Sequence, residues 1–139
     1  MTSLDTNVLA ALWDADDVFN THAKGLLILA REAGELVVSA PVFAELLADP
    51  GREELFLDTF FREADIAVEW QFSEAIIRTA GRAFQSYVQR RRASGAGHPR
   101  RILADFLIGA HALVNGYTLL TLDQRHYRKA FPKLKLQKI

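Results

Sequence analysis

Short apolar runs rich in β-branched residues punctuate the chain, and helical patterns fill the intervals between them. Leu36-Val37-Val38-Ser39, Ile66-Ala67-Val68 and Thr118-Leu119-Leu120-Thr121 each read as a short strand, and Leu4 closes a very short first one. Leu134-Lys135-Leu136 alternates as an edge strand with lysines facing water would. Helical patterns cover Thr6 to Trp13, a stretch from the caps Asp14, Asp16 and Asp17 to about Ala33, and a Pro41-led segment holding Val42, Phe43, Leu46 and Leu47. Further helices are expected over Glu53 to Glu63, with the apolar stripe Leu55, Phe56 and Phe60, from the cap Ser73 to about Arg92, over the apolar Ile102 to Val114, and over 124–130. This alternation predicts an α/β fold, a mainly parallel sheet of about five short strands covered on both faces by helices. With 139 residues and no repeat or dividing linker, one domain spanning 1–139 is expected.

The absence of cysteine excludes a disulfide scaffold, a thiolate zinc site and a thiol nucleophile together. No apolar run reaches the roughly 18 residues of a membrane span, and Met1-Thr2-Ser3-Leu4-Asp5 lacks the basic start of a signal peptide. A cytoplasmic protein with no membrane partner is the expectation. The formal net charge of zero conceals a division. Residues 1–77 carry 15 acids and 4 bases, a net of −11, whereas 78–139 carry 2 acids and 13 bases, a net of +11. These are either two complementary surfaces or a basic strip for a polyanion beside an acidic region. The two acids of the basic half are Asp105 and Asp123.

Open parallel sheets place ligands in the crevice beyond the carboxyl ends of their strands. Asp5 follows the first strand, Glu45 lies one turn into the helix after Ser39, Asp105 one turn into the apolar helix, and Asp123 just past Thr121. Each has a plainer reading. Asp5 and Asp123 can cap the helices they precede, Glu45 can sit on a solvated face, and Asp105 can pair with Arg100 or Arg101. Yet Asp105 stands among Ile102, Leu103, Ala104, Phe106, Leu107 and Ile108, where a lone carboxylate is costly unless paired or bound to a cation. Four carboxylates meeting at one sheet edge either take up protons or bind a cation, and an all-oxygen set favours Mg²⁺ or Mn²⁺ over zinc. His22, His98, His111 and His126 show no metal-ligand spacing and read as non-ligands.

Leu4-Asp5-Thr6-Asn7-Val8-Leu9, Ser39 with Glu45, Asp105 followed by Ile108-Gly109-Ala110, and Leu120-Thr121-Leu122-Asp123 together resemble the PIN domain, and more narrowly the VapC-type toxins of toxin–antitoxin pairs. The resemblance covers essentially the whole chain, with 18 residues from Asp105 to Asp123. Three positions depart from it. Thr2 and Ser3 stand where relatives usually have aliphatic residues, and Leu122 where many have asparagine.

The resemblance implies a three-layer α/β/α fold and a metal-dependent endoribonuclease, the toxin of a type II pair. Asp5, Glu45, Asp105 and Asp123 would be catalytic and hold Mg²⁺ (or Mn²⁺), with a metal-activated water leaving 5′-phosphate and 3′-hydroxyl ends. Asn7, Ser39 and Thr121 would hydrogen-bond those carboxylates or the metal's waters. It also implies a cognate antitoxin and a homodimer. Arg90, Arg91, Arg92, Arg100 and Arg101 bracket the loop leading to Asp105 and read either as RNA-binding cations or as a solvated helix end. Gly95-Ala96-Gly97 lacks the strand and Gly-Lys-Ser of a phosphate loop and reads as flexible. Trp13, Phe19, Leu55, Phe56, Phe60 and Phe61 are core or a groove for a partner. A catalytically inactive PIN-like binding module is the main alternative. An Asp5-dependent phosphotransfer or phosphatase domain is weaker, because Asn7 stands where such enzymes want a second aspartate.

Overall fold

The computed structural model describes residues 1–139. Its elements are β1 (Thr2–Leu4), α1 (Thr6–Trp13), α2 (Asn20–Ala33), β2 (Leu36–Ser39), α3 (Ala40–Leu47), α4 (Glu54–Glu63), β3 (Ile66–Glu69), α5 (Glu74–Ala93), α6 (Leu103–Asn115), β4 (Thr118–Leu120) and α7 (Gln124–Ala130). The four strands pair in parallel in the order β3-β2-β1-β4. The chain steps outward from β1 to β3, then returns past β1 to form β4. Right-handed crossovers send the helices of the two directions to opposite faces. The order therefore reverses between β1 and β4, where open α/β sheets place their ligands.

The expected fifth strand is a correction. Leu136 makes a single parallel bridge with Leu119, through Leu119 N–H donating to the Lys135 carbonyl (2.8 Å) and Gln137 N–H to that of Leu119 (3.0 Å). β4 has three residues and offers no longer ladder. The alternation survives, with Leu134 buried and Lys135 exposed.

β1 and β2 are buried along their whole length. The polar Thr2 and Ser3 are thus interior residues of a central strand, and the Ser3 hydroxyl has no partner. The core joins Leu4, Val8 and Leu9 to Val38, Leu46, Phe106, Ile108, Leu119 and Leu120. Gly109 is required by space, since a Cβ there would lie 2.3 Å from the Phe131 ring. Gly116 closes α6 at φ 72°, a left-handed conformation that glycine adopts freely.

Local signals misled in two places. Asp14 and Asp17 do not cap α2; they accept from the N–H groups of Asp16 and Phe19 and shape the preceding turns. Asn20 instead ties α2 to α1, its amide donating to the carbonyls of Ala11 and Leu12 (2.9 and 3.0 Å). On α4 the buried face carries Leu57 and Phe61, while Leu55 is 72% exposed and Phe56 packs edge-on against Trp13. His111 is fully buried, its Nε2 2.7 Å from Glu69, which also accepts from the Tyr117 hydroxyl (2.8 Å). No helix is long and apolar enough to cross a membrane.

Candidate active site

Parallel pairing brings the carboxyl ends of β1, β2 and β4 to one edge, and residues just past each end share a rim. Asp5 is held there by its own backbone, whose N–H donates to the Leu120 carbonyl (2.9 Å). Its Oδ1 accepts from the Thr6 N–H (2.8 Å), and its Oδ2 from the Thr121 hydroxyl (2.7 Å) and the Asn7 amide (3.1 Å). The Asn7 Oδ1 in turn accepts from the Leu122 N–H (3.1 Å), which locks the start of α1 to the end of β4. Glu45, on α3, accepts from the Thr6 hydroxyl at 2.6 Å. Asp123 caps α7 through the His126 N–H (3.4 Å) and forms an ion pair with Arg101 at 2.6 Å. The capping reading of Asp5 and Asp123 is therefore correct and does not compete with a place in the site.

All four carboxylates, Asp5, Glu45, Asp105 and Asp123, line one cavity of about 240 Å³, together with Thr6, Asn7, Arg101 and Tyr127. Asn7 and Thr121 bond Asp5 as expected. Ser39 does not, because its buried hydroxyl makes no hydrogen bond. Burial pushes the Asp5 carboxyl up to about 6, against the hydrogen bonds from Thr121 and Thr6 and with added repulsion from Asp105 and Glu45. Burial also raises Asp105, a rise that His126 and Arg101 oppose and Glu45 reinforces. Asp105 forms no ion pair; Arg101 pairs with Asp123 instead.

One buried and three half-buried carboxylates around one cavity are a charge cluster that a divalent cation would neutralise, and oxygen donors suit a hard ion. By donor chemistry the pocket fits Mg²⁺ or Mn²⁺. No three acidic or histidine side chains are placed as a closed ligand group, and the nearest cation to the cluster is the Arg101 guanidinium.

A second cleft of about 900 Å³ shares Arg101, Asp105 and Asp123 with the acidic cavity. Arg90, Arg91 and Arg100 line it; Arg92 does not. Arg91 also braces the loop, donating to the His98 carbonyl (2.9 Å), and the Tyr87 hydroxyl accepts from the N–H groups of Arg100 and Arg101 (2.8 and 3.0 Å). Sequence reasoning missed Arg125 and Lys129, which extend the basic lining from α7. Their four-residue spacing on the helix after Asp123 was the available signal. It also missed Thr6, His126 and Tyr127. Burial lowers the His126 imidazole below its usual value, with Arg101 acting in the same direction, and its Nε2 has no partner.

Solved structures with this architecture place it among known proteins. VapBC-1 from nontypeable Haemophilus influenzae superposes with a TM-score of 0.67 at 19% identity, covering 99% of this chain and 96% of that one. VapBC2 from Rickettsia felis, bound to a DNA fragment from its promoter, gives 0.63 at 21%, covering 98% and 96%. FitAcB from Neisseria gonorrhoeae gives 0.62 at 18%, covering 99% and 97%. No curated protein matches the sequence. The model of the PIN domain matches residues 3–132, a span that takes in all of the sheet but Thr2 and all four carboxylates. By that match over nearly its whole length, the chain belongs to the PIN domain family.

Proposed function

We propose that this protein is a metal-dependent endoribonuclease, the VapC-type toxin of a type II toxin–antitoxin pair. The observation that carries the reading is the convergence of Asp5, Glu45, Asp105 and Asp123, from four separate segments, on one cavity that opens into a basic cleft.

These four carboxylates would hold Mg²⁺ (or Mn²⁺). A bound divalent ion supplies a water of lowered pKa and offsets charge on the phosphoryl and leaving oxygens. Arg90, Arg91, Arg100 and Arg101, with Arg125 and Lys129, dock the phosphodiester and offset the repulsion between RNA and the acidic pocket. Asn7 and Thr121 hold Asp5 so that its oxygens keep one orientation, and Thr6 does the same for Glu45. Water adds to phosphorus and the bond to the 3′ oxygen breaks, leaving 3′-hydroxyl and 5′-phosphate ends.

The structures this chain resembles include the VapBC-1 and FitAcB assemblies, which supports a cognate antitoxin as partner. Val18, Phe19, Leu55 and Phe56 are exposed apolar residues available to such a segment or to a second copy in a homodimer.

Cleavage of a labelled single-stranded RNA tests the reading. Wild-type protein with Mg²⁺ or Mn²⁺ yields 5′-phosphate products, while EDTA, Asp5→Asn and Asp105→Asn each abolish them and leave the circular dichroism of the fold intact. Cleavage that survives EDTA, or both substitutions, refutes it.

A further inference from the structure

Tyr127 lines the acidic cavity from α7, directly after the helix turn that Asp123 caps. Its ring is 1% exposed and packs edge-on against His126, which itself meets Phe106 at the start of α6 beside Asp105. Phenylalanine would fill that space equally well. The hydroxyl is buried against Asp5 yet does not reach full hydrogen-bond geometry, an arrangement that costs stability unless some state of the protein completes the bond.

Each of the other donor side chains of the cavity already holds a partner. Thr6 bonds Glu45, Asn7 bonds Asp5, and Arg101 holds Asp123, while Thr121 reaches Asp5 from the strand end behind them. Three hydrogen bonds already occupy Asp5, leaving about one of a carboxylate's roughly four lone-pair sites for a cation. Asp105 accepts none from any side chain, and it faces Tyr127 together with Asp5 and Glu45. Tyr127 is therefore the one donor side chain of the cavity with no completed bond, and Asp105 the carboxylate that neither pairs with a cation nor accepts a side-chain hydrogen bond.

We infer that Tyr127 is a positioning residue of the metal pocket, its hydroxyl donating to the carboxylate cluster when the acids close on a divalent cation. The inference rests on the nuclease reading above. Hydrogen-bond partners of ligating side chains fix ligand orientation, and their removal weakens metal binding by about 10- to 100-fold. In the metal-free protein the same removal deletes an unpartnered group and leaves stability unchanged or higher.

The test is Tyr127→Phe, measured by Mn²⁺ calorimetry, by melting with EDTA and with Mn²⁺, and by kcat and KM on RNA. The expected result is Mn²⁺ affinity about 10- to 100-fold weaker, a smaller Mn²⁺-induced rise in Tm, and lower kcat at unchanged KM. The Tm in EDTA equals or exceeds that of wild type. Unchanged Mn²⁺ affinity, or a lowered Tm in EDTA with the Mn²⁺-induced rise intact, overturns the role of Tyr127. Asp105→Asn, measured alongside, separates the two readings. If it binds Mn²⁺ and cleaves like wild type, the carboxylate site of the nuclease reading falls and the inference with it; if it loses both while Tyr127→Phe keeps them, the inference alone falls.

Discussion

Replacing Asp5 with asparagine is expected to stabilise the metal-free protein, and more at neutral and alkaline pH than in acid. Asp5 is buried, and its carboxyl rises from 3.8 to about 6 even after the hydrogen bonds from Thr121 and Thr6 have pulled it down. The folded protein thus binds a proton at Asp5 more tightly than the unfolded chain does. The stability this confers is complete below the unfolded value and is lost as pH rises through the folded one. By pH 8 Asp5 weakens the fold by about 3 kcal/mol relative to an uncharged side chain, and at pH 4.5, through ionisation in the unfolded chain, by about 1 kcal/mol. Asparagine is uncharged and escapes both costs, less what is lost where its amide nitrogen cannot accept from Asn7 as Oδ2 does. Urea unfolding in EDTA, followed by the fluorescence of Trp13 and Trp70, reads the difference. With a slope of about 2 kcal/mol per molar, the midpoint of Asp5→Asn moves up by about 1.5 M at pH 8 and about 0.5 M at pH 4.5. A variant less stable than wild type at pH 8, or a shift equal at both pH values, would show that Asp5 is an ordinary cap rather than a charge held in place for a ligand.

Three further outcomes follow from the geometry. Mn²⁺ affinity falls by up to about tenfold per pH unit below about 6, because the ion must displace the Asp5 proton; flat calorimetric affinity from pH 7 to 5 contradicts this. Arg101→Ala costs under about 1 kcal/mol of stability, since both partners of its ion pair are about one-third exposed (38% and 33%). The same change strengthens Mn²⁺ binding by freeing Asp123 and weakens binding to RNA, measurable by calorimetry and fluorescence anisotropy. Gly109→Ala, whose new methyl would meet the Phe131 ring at 2.3 Å, destabilises the fold by about 1–3 kcal/mol in urea titrations.

The sheet was legible because three of its four strands announce themselves as apolar runs whose direction is dictated by intervening helices. The carboxylates followed from that topology, since a parallel sheet gathers its strand ends whatever their separation in the chain. Asp105 stood out most clearly, as the one acid in a helix with little polar face. What escaped depended on side-chain direction. Periodicity cannot tell which of Leu55, Phe56 and Leu57 turns inward when Trp13 arrives from another helix to cover one of them. Nor could spacing show that Arg101 reaches past Asp105 to Asp123, or that Tyr127 turns its hydroxyl toward the acids. Leu134 to Leu136 has the alternation of a strand, but its length of pairing is limited by a three-residue neighbour.

Anomalous diffraction from crystals grown with Mn²⁺ addresses the central claim most directly. A peak in the acidic cavity, with oxygens of Asp5 and Asp105 among its ligands and the Arg101 guanidinium displaced from Asp123, is the predicted result. An Mn²⁺-saturated crystal with no peak there, and Arg101 still paired to Asp123, would contradict it.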